Sequence, residues 1–174
     1  MNKKIIIAIA AILMFVVVVI AGFFYLTVHK KSNLSFKDDL AKCVKLKGDI
    51  GYNITNKDMC LSNVLRKIGK NPAYLYICND FDVDNFKIEC RASLSGDINI
   101  CGEMIPVGDY SKNYVVEACY YIYAQSQGFK QKDTCKKISN SRYRDTCYFQ
   151  YFESTGDKSI CKEMTDPLYL ENCK

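Results

Sequence analysis

Hydrophobic and polar positions are distributed in two different ways along this chain. From Ile5 to Val28 no residue is charged, and the only hydroxyl groups are those of Tyr25 and Thr27. Lys3 and Lys4 precede the run; His29, Lys30 and Lys31 follow it. A helix of about 20 apolar residues spans a bilayer's hydrocarbon core, so residues 5–28 predict a transmembrane helix and residues 1–31 an N-terminal membrane anchor. Val19-Ile20-Ala21 ahead of Gly22 offers a cleavage site after Ala21. A signal peptide's apolar core is usually about 7–15 residues, however, and this run continues through Phe23, Phe24, Tyr25, Leu26 and Val28. Its length favours an uncleaved signal-anchor.

Beyond residue 31 the apolar positions fall into short stripes of helical period. Four of them follow C-apolar-x-x-apolar-apolar in whole or in part: Cys60-Leu61…Val64-Leu65, Cys119-Tyr120…Tyr123-Ala124 and Cys147-Tyr148…Tyr151-Phe152 fully, and Cys90 only through Leu94. Such spacing marks the buried face of a helix. Five other stripes read C-x-x-apolar: Cys43…Leu46, Cys78…Phe81, Cys101…Met104, Cys135…Ile138 and Cys161…Met164. Residues three apart share a helical face, so each predicts a second, shorter helix. Asp58, Glu117, Asp145 and Glu171 each stand two residues before a cysteine, near the expected start of a longer helix, where a carboxylate complements the positive end of the helix dipole.

Punctuation agrees with this division. Gly96 and Gly156 suit left-handed helix ends, and Asp97 and Asp157 suit the caps that follow. Ser35-Phe36-Lys37-Asp38 is a loose capping box opening a first helix with Leu40, Cys43 and Val44 on one face. Two nonamers, Gly96–Met104 and Gly156–Met164, match at six of nine positions, which identifies an internal repeat. The expected architecture is all-α: a transmembrane helix, then residues 32–174 as an α-solenoid-like array of short αα-hairpins.

Ten cysteines lie at 43, 60, 78, 90, 101, 119, 135, 147, 161 and 173, all after the apolar run. An even, spread count behind a membrane signal reads as a disulfide framework in an oxidising compartment. Pairing in order gives 43–60, 78–90, 101–119, 135–147 and 161–173, with three intervals of twelve residues suited to one hairpin. The other phase, 60–78, 90–101, 119–135 and 147–161, leaves Cys43 with Cys173; spacing favours the first phase, and the connectivity stays open at this level. Zinc sites bring ligands in close pairs and often recruit histidine. Here the shortest cysteine interval is eleven residues and the sole histidine is His29, so no metal is expected.

Charge adds that nucleic acid is not an expected partner. The net charge is +5, but Lys3, Lys4, Lys30 and Lys31 belong to the anchor segment, and the remainder holds 20 basic against 19 acidic residues. A nucleic-acid binder needs a basic footprint, which is absent.

The segment Asp133-Thr134-Cys135-Lys136-Lys137-Ile138, Arg144-Asp145-Thr146-Cys147-Tyr148, Gly156-Asp157 and Ile160-Cys161 resembles the cysteine-paired helical-hairpin repeats of uncharacterised membrane-anchored envelope proteins of archaea. The likeness covers residues 96–174 and fades over 36–95, where spacing is irregular. It implies a surface-exposed helical domain and carries no catalytic residue with it.

Candidate chemistry is sparse. With no histidine beyond position 29, Ser-His-Asp and Cys-His nucleophilic arrangements are excluded from residues 32–174. No phosphate-binding glycine loop or H-E-x-x-H motif occurs, and no cofactor is expected. Asp80-Phe81-Asp82-Val83-Asp84-Asn85 opens like a calcium loop, but Asn85 replaces the required glycine and Arg91 the bidentate glutamate, so it reads as an acidic turn capping a Phe86–Ser95 helix. The chain has 13 Tyr and 9 Phe without Trp. These rings fill a thin core on one reading; on the other, Tyr121 and Phe149, off the buried stripes, form a partner-facing patch. Asn33-Leu34-Ser35 and Asn53-Ile54-Thr55 are glycosylation sequons. The functional expectation is a membrane-anchored extracytoplasmic module of the cell envelope without catalysis, acting in adhesion, surface-complex assembly or partner recognition, with other envelope proteins as partners. An anchored subunit of a viral entry or similar surface machine is the alternative, and a small extracytoplasmic enzyme a weaker one.

Overall fold

The computed structural model describes residues 36–50 and 54–173, together with Val17. The apolar run 5–28, the 31/32 boundary, and the sequon residues Asn33 and Asn53 lie outside the described residues. Among the described residues no helix is long and apolar enough to cross a membrane. The chain divides into two compact units, Met1–Ala41 and Lys42–Lys174. The first contributes the opening turns of a helix, α1, that is described over residues 36–44. The second holds everything that follows.

The described residues are helical, and an isolated Asp49–Thr55 bridge is the β pairing among them. The long helices are α2 (Asn56–Ile68), α3 (Asp84–Ser95), α4 (Lys112–Ser126) and α6 (Ser141–Thr155); α5 (Lys132–Lys136) and α7 (Pro167–Asn172) are short. Between them lie three 3₁₀ segments, Pro72–Asp80, Ile98–Glu103 and Lys158–Glu163. Five hairpins result, each a short segment followed by a helix carrying its second cysteine: α1–α2, 72–80 with α3, 98–103 with α4, α5–α6, and 158–163 with α7. Three of the five short partners are thus 3₁₀ where an α-helix was expected. Asn71, Asp97 and Asp157 start them by accepting the N–H two residues on, at 3.3, 3.0 and 3.0 Å. Such tight turns suit pieces of six to nine residues that never complete several α-helical turns.

The cysteines pair in the first of the two phases, 43–60, 78–90, 101–119, 135–147 and 161–173, and no cysteine is free. Cα separations of 5.4 to 5.7 Å are ordinary for disulfides. Each bond therefore closes its own hairpin. Gly96 and Gly156 end α3 and α6 at φ 76° and 72°, left-handed values that favour glycine, and each donates its N–H back to the preceding turn.

The C-x-x-apolar motif works differently from its sequence reading. Met104, Ile138, Met164 and Leu46 each return an N–H to the carbonyl of the cysteine three back, at 3.0 to 3.2 Å. Phe81 and Met164 then adopt extended backbone, so the apolar residue is the exit from the short segment rather than a neighbour on its face. Phe81, Met104, Ile138 and Met164 are buried, and Leu46 is exposed. Val44, expected on the buried face of the first helix, is likewise exposed, whereas Cys43 is fully buried.

The core is a succession of small clusters centred on disulfides rather than one mass. Ile88, Ala92, Cys101, Met104, Val115, Cys119 and Tyr123 form one between the second and third hairpins. Phe129, Cys135, Ile138, Cys147, Tyr148, Ile160 and Met164 form another across the third to fifth. In the second unit α3 packs on α2 and α4, and α4 on α5 and α6, so each hairpin buries its stripe against the next.

Candidate functional site

The carboxylates two residues before a cysteine are a regular polar feature of the described residues. Asp58 lies in the first turn of α2, where it complements the helix dipole as expected, whereas Glu117 and Asp145 lie deeper in α4 and α6; all three reach out to the next hairpin. Asp58 of α2 accepts the backbone N–H of Asp82 at 2.8 Å. Glu117 of α4 accepts the N–H of Asn140 at 3.0 Å and the hydroxyl of Ser139. Asp145 of α6 accepts the N–H groups of Thr165 and Asp166 at 2.7 Å each and the Thr165 hydroxyl at 2.8 Å. In every case the donors are the one or two residues after the apolar exit residue of the following hairpin: Phe81, Ile138 or Met164. Asp58 and Asp145 are fully buried and Glu117 nearly so. Backbone donors at short range offset part of their desolvation, while Asp58 Oδ2 and Asp145 Oδ1 are buried without a hydrogen-bond partner.

This latch couples to helix capping. Asn140 and Asp166 give their N–H to the preceding hairpin while their side chains accept the N–H of Tyr143 and Leu168 to start α6 and α7. The second-to-third junction breaks the pattern instructively. Ile88 occupies the carboxylate position, and Pro106, two residues after Met104, has no N–H to offer. Asn85 substitutes, accepting the Ile105 N–H at 2.9 Å and donating to its carbonyl at 2.7 Å. The sequence signal for the latch was present as Ile138-Ser139-Asn140 and Met164-Thr165-Asp166, a hydroxyl and an amide or acid after the exit residue, and sequence reasoning missed it.

The acidic run 80–84 is divided among protein partners. Asp82 meets the Lys57 ammonium at 2.5 Å and the Thr55 hydroxyl at 3.2 Å, and this hydrogen bond to Lys57 holds its carboxyl below the usual range. Asp84 meets Lys87 at 2.8 Å. Among the described residues no cluster of His, Cys, Asp or Glu is arranged to hold a metal ion.

A narrow cleft, with room for about one water, lies where α2, α3 and α4 meet. Arg66, Phe81, Phe86, Ser93 and Ser126 line it together with Glu89, whose Oε2 is buried without a hydrogen-bond partner. Burial pushes the Glu89 carboxyl up to about 7 against the opposing pull of Arg66. Nothing in the sequence marked this acid.

Tyr121 and Phe149 are half-buried, each among other aromatic rings. Tyr121 lies 5.6 Å from Phe129 and 6.1 Å from Tyr143 between ring centres; Tyr143 in turn contacts Tyr114, which stacks on Tyr110 at 4.7 Å. Phe129 takes a left-handed φ of 50° to place its ring beneath Tyr121. Phe149 lies 5.4 Å from Tyr169 and 6.1 Å from Phe152. The two candidates thus belong to separate ring contacts along α4 and α6, each partly core and partly surface. Tyr114 and Tyr143 share a hydroxyl hydrogen bond at 2.9 Å, which raises the Tyr114 phenol above its ordinary value.

Compared with known proteins, the chain matches no protein family, no curated protein and no solved structure.

Proposed function

We propose that this chain is a non-catalytic, membrane-anchored interaction or structural module of the cell envelope, with an α-solenoid-like array of stapled hairpins on the outer side of the bilayer. The observation that carries the reading is the pairing of all ten cysteines as five local disulfides, one per hairpin. Such bonds indicate an oxidising compartment. The uncharged run 5–28 supplies the length that an anchor in that compartment's membrane needs. Partner recognition fits the partly exposed aromatic rings of α4 and α6, because Tyr and Phe bury large area at low side-chain entropy.

The test is protease protection and thiol labelling of native membranes from a producing cell. The expected outcome is a membrane-bound chain, cleavable from outside, with no thiol labelled before reduction; ten reactive thiols would overturn the reading. Crosslinking on intact cells followed by mass spectrometry then identifies the partners, and obligatory co-purification with several other anchored subunits would favour the multi-protein machine instead. Replacing Tyr121 and Phe149 together by Ser is expected to lower capture of the crosslinked partner at least tenfold while the five disulfides still form.

A further inference from the structure

The junctions between hairpins follow one rule, and the first and fifth hairpins each hold half of it. In the interior, an acceptor on the longer helix clamps the turn that follows the buried exit residue of the next hairpin: Asp58 to Asp82, Asn85 to Ile105, Glu117 to Ser139 and Asn140, Asp145 to Thr165 and Asp166. Exposure of the exit residues is 2 % at Phe81, 3 % at Met104, 0 % at Ile138 and 4 % at Met164.

The first hairpin has the turn without an acceptor. Its exit residue, Leu46, closes the same three-residue bond onto Cys43 at 3.0 Å and is yet 45 % exposed. Lys45 and Lys47 flank it, so the turn presents an apolar side chain between two cations. The fifth hairpin has the acceptor without a turn. Glu171 is the fifth residue of α7 and two before Cys173, as Asp145 is the fifth of α6 and two before Cys147. Asp145 is buried and bonded, whereas Glu171 is exposed and has no hydrogen bond or ion pair among the described residues. Beside it Leu168 is 64 % and Leu170 37 % exposed.

We propose that copies of this chain associate head to tail, the Leu46 turn of one copy seating on α7 of another, with Glu171 accepting from the Lys47 and Gly48 N–H groups and facing the flanking lysines. The apolar side chains and the sign of charge are complementary between the two ends, and the same kind of contact is already made between hairpins within the chain. Its two faces differ, so the association is heterologous and builds rings or open files rather than an isologous pair. One junction buries little surface and is weak on its own. Confinement of anchored copies to a membrane raises their effective concentration and so favours it. The proposal names a partner for the interaction module above, but the contact itself needs neither the anchor nor the compartment.

The experiment is carbodiimide coupling, which joins a carboxylate directly to a touching amine, on the full chain reconstituted in vesicles from equal amounts of light and uniformly heavy-isotope protein. The expected result is a peptide linking Glu171 to Lys45 or Lys47, about half of it combining one light with one heavy partner. Glu171→Gln removes that peptide, and Leu46→Ser lowers its yield at least tenfold, with all five disulfides intact by mass. Uncoupled Glu171, or coupling only within single-isotope copies, would overturn the proposal. Coupling of Glu171 to a different protein in native membranes, with none between copies, would also overturn it yet leave the interaction module standing. Free thiols in the native protein would remove the module and leave the isotope-mixed peptide to be judged alone.

Discussion

At the scale of single residues, buried carboxylates differ in how many donors they find. Asp145 accepts two backbone N–H groups and a hydroxyl on Oδ2, while its buried Oδ1 has no hydrogen-bond partner. Replacing it by Ala orphans those donors, and Asp145→Ala is expected to cost about 2–3 kcal/mol in urea denaturation. Glu171→Ala, at the matching but exposed position, is expected to change the stability of the single chain by less than about 0.5 kcal/mol. Glu89 has no partner for its buried oxygen, and its carboxyl stands at about 7 against an ordinary 4.5. The folded state therefore holds this proton more tightly than the unfolded state. Its contribution is full below about pH 4.5 and is lost as pH rises through about 7, a loss of roughly 3 kcal/mol across that window. Urea midpoints measured from pH 4 to 8 should fall with pH in the native chain. In Glu89→Gln, which stays neutral, that part of the slope should vanish; an unchanged slope would contradict the assignment.

At the scale of elements, each hairpin is held by a covalent bond, and the second to fifth also by a buried exit residue. The closed loops span 12 to 18 residues, so each disulfide stabilises by about 3 kcal/mol through the entropy removed from the unfolded chain. Because the apolar clusters are small, stability rests heavily on these bonds. Thermal melts followed by circular dichroism are expected to show complete loss of the helical transition in strong reductant; a melt unaffected by reductant would contradict this. Replacing Cys135 and Cys147 together by Ala should lower the midpoint while the other four bonds still form. The element types were partly legible beforehand. Gly96, Asp97, Gly156 and Asp157 announced their helix ends because capping is a local interaction of neighbouring residues. The 3₁₀ character of the short segments was not legible, since α and 3₁₀ turns draw on the same residues and differ by which carbonyl each N–H reaches.

At the scale of the whole molecule, stacking of hairpins takes the place of a single core. Each interface buries an exit residue beneath the preceding helix and then clamps the turn beyond it. Intact-mass measurement of the native chain should fall short of the fully reduced mass by ten hydrogens, two for each of the five disulfides. Tyr121 and Phe149 were chosen from the sequence as residues off the buried stripe, and each proves half-buried against other rings. The stripe was a partial guide to the faces turned inward: Leu61, Val64, Leu65, Tyr123, Ala124 and Tyr148 are buried, whereas Tyr120, Tyr151 and Phe152 are half-buried. It was a poor guide to the opposite faces, because a helix in a stack has neighbours on more than one side.

From the sequence alone follow the repeat, the helical class of the chain beyond residue 31, the favoured order of cysteine pairing and the oxidising compartment, because each depends on spacing along the chain and on residue chemistry. The tertiary structure decided what spacing cannot express. Asp58, Glu117 and Asp145 turn out to bind the next hairpin, across 20 to 24 residues of chain, and of the three only Asp58 also lies in the first turn of its own helix. An acceptor's partner at that distance is chosen by how two helices pack, and packing is set by the whole stack of side chains between them.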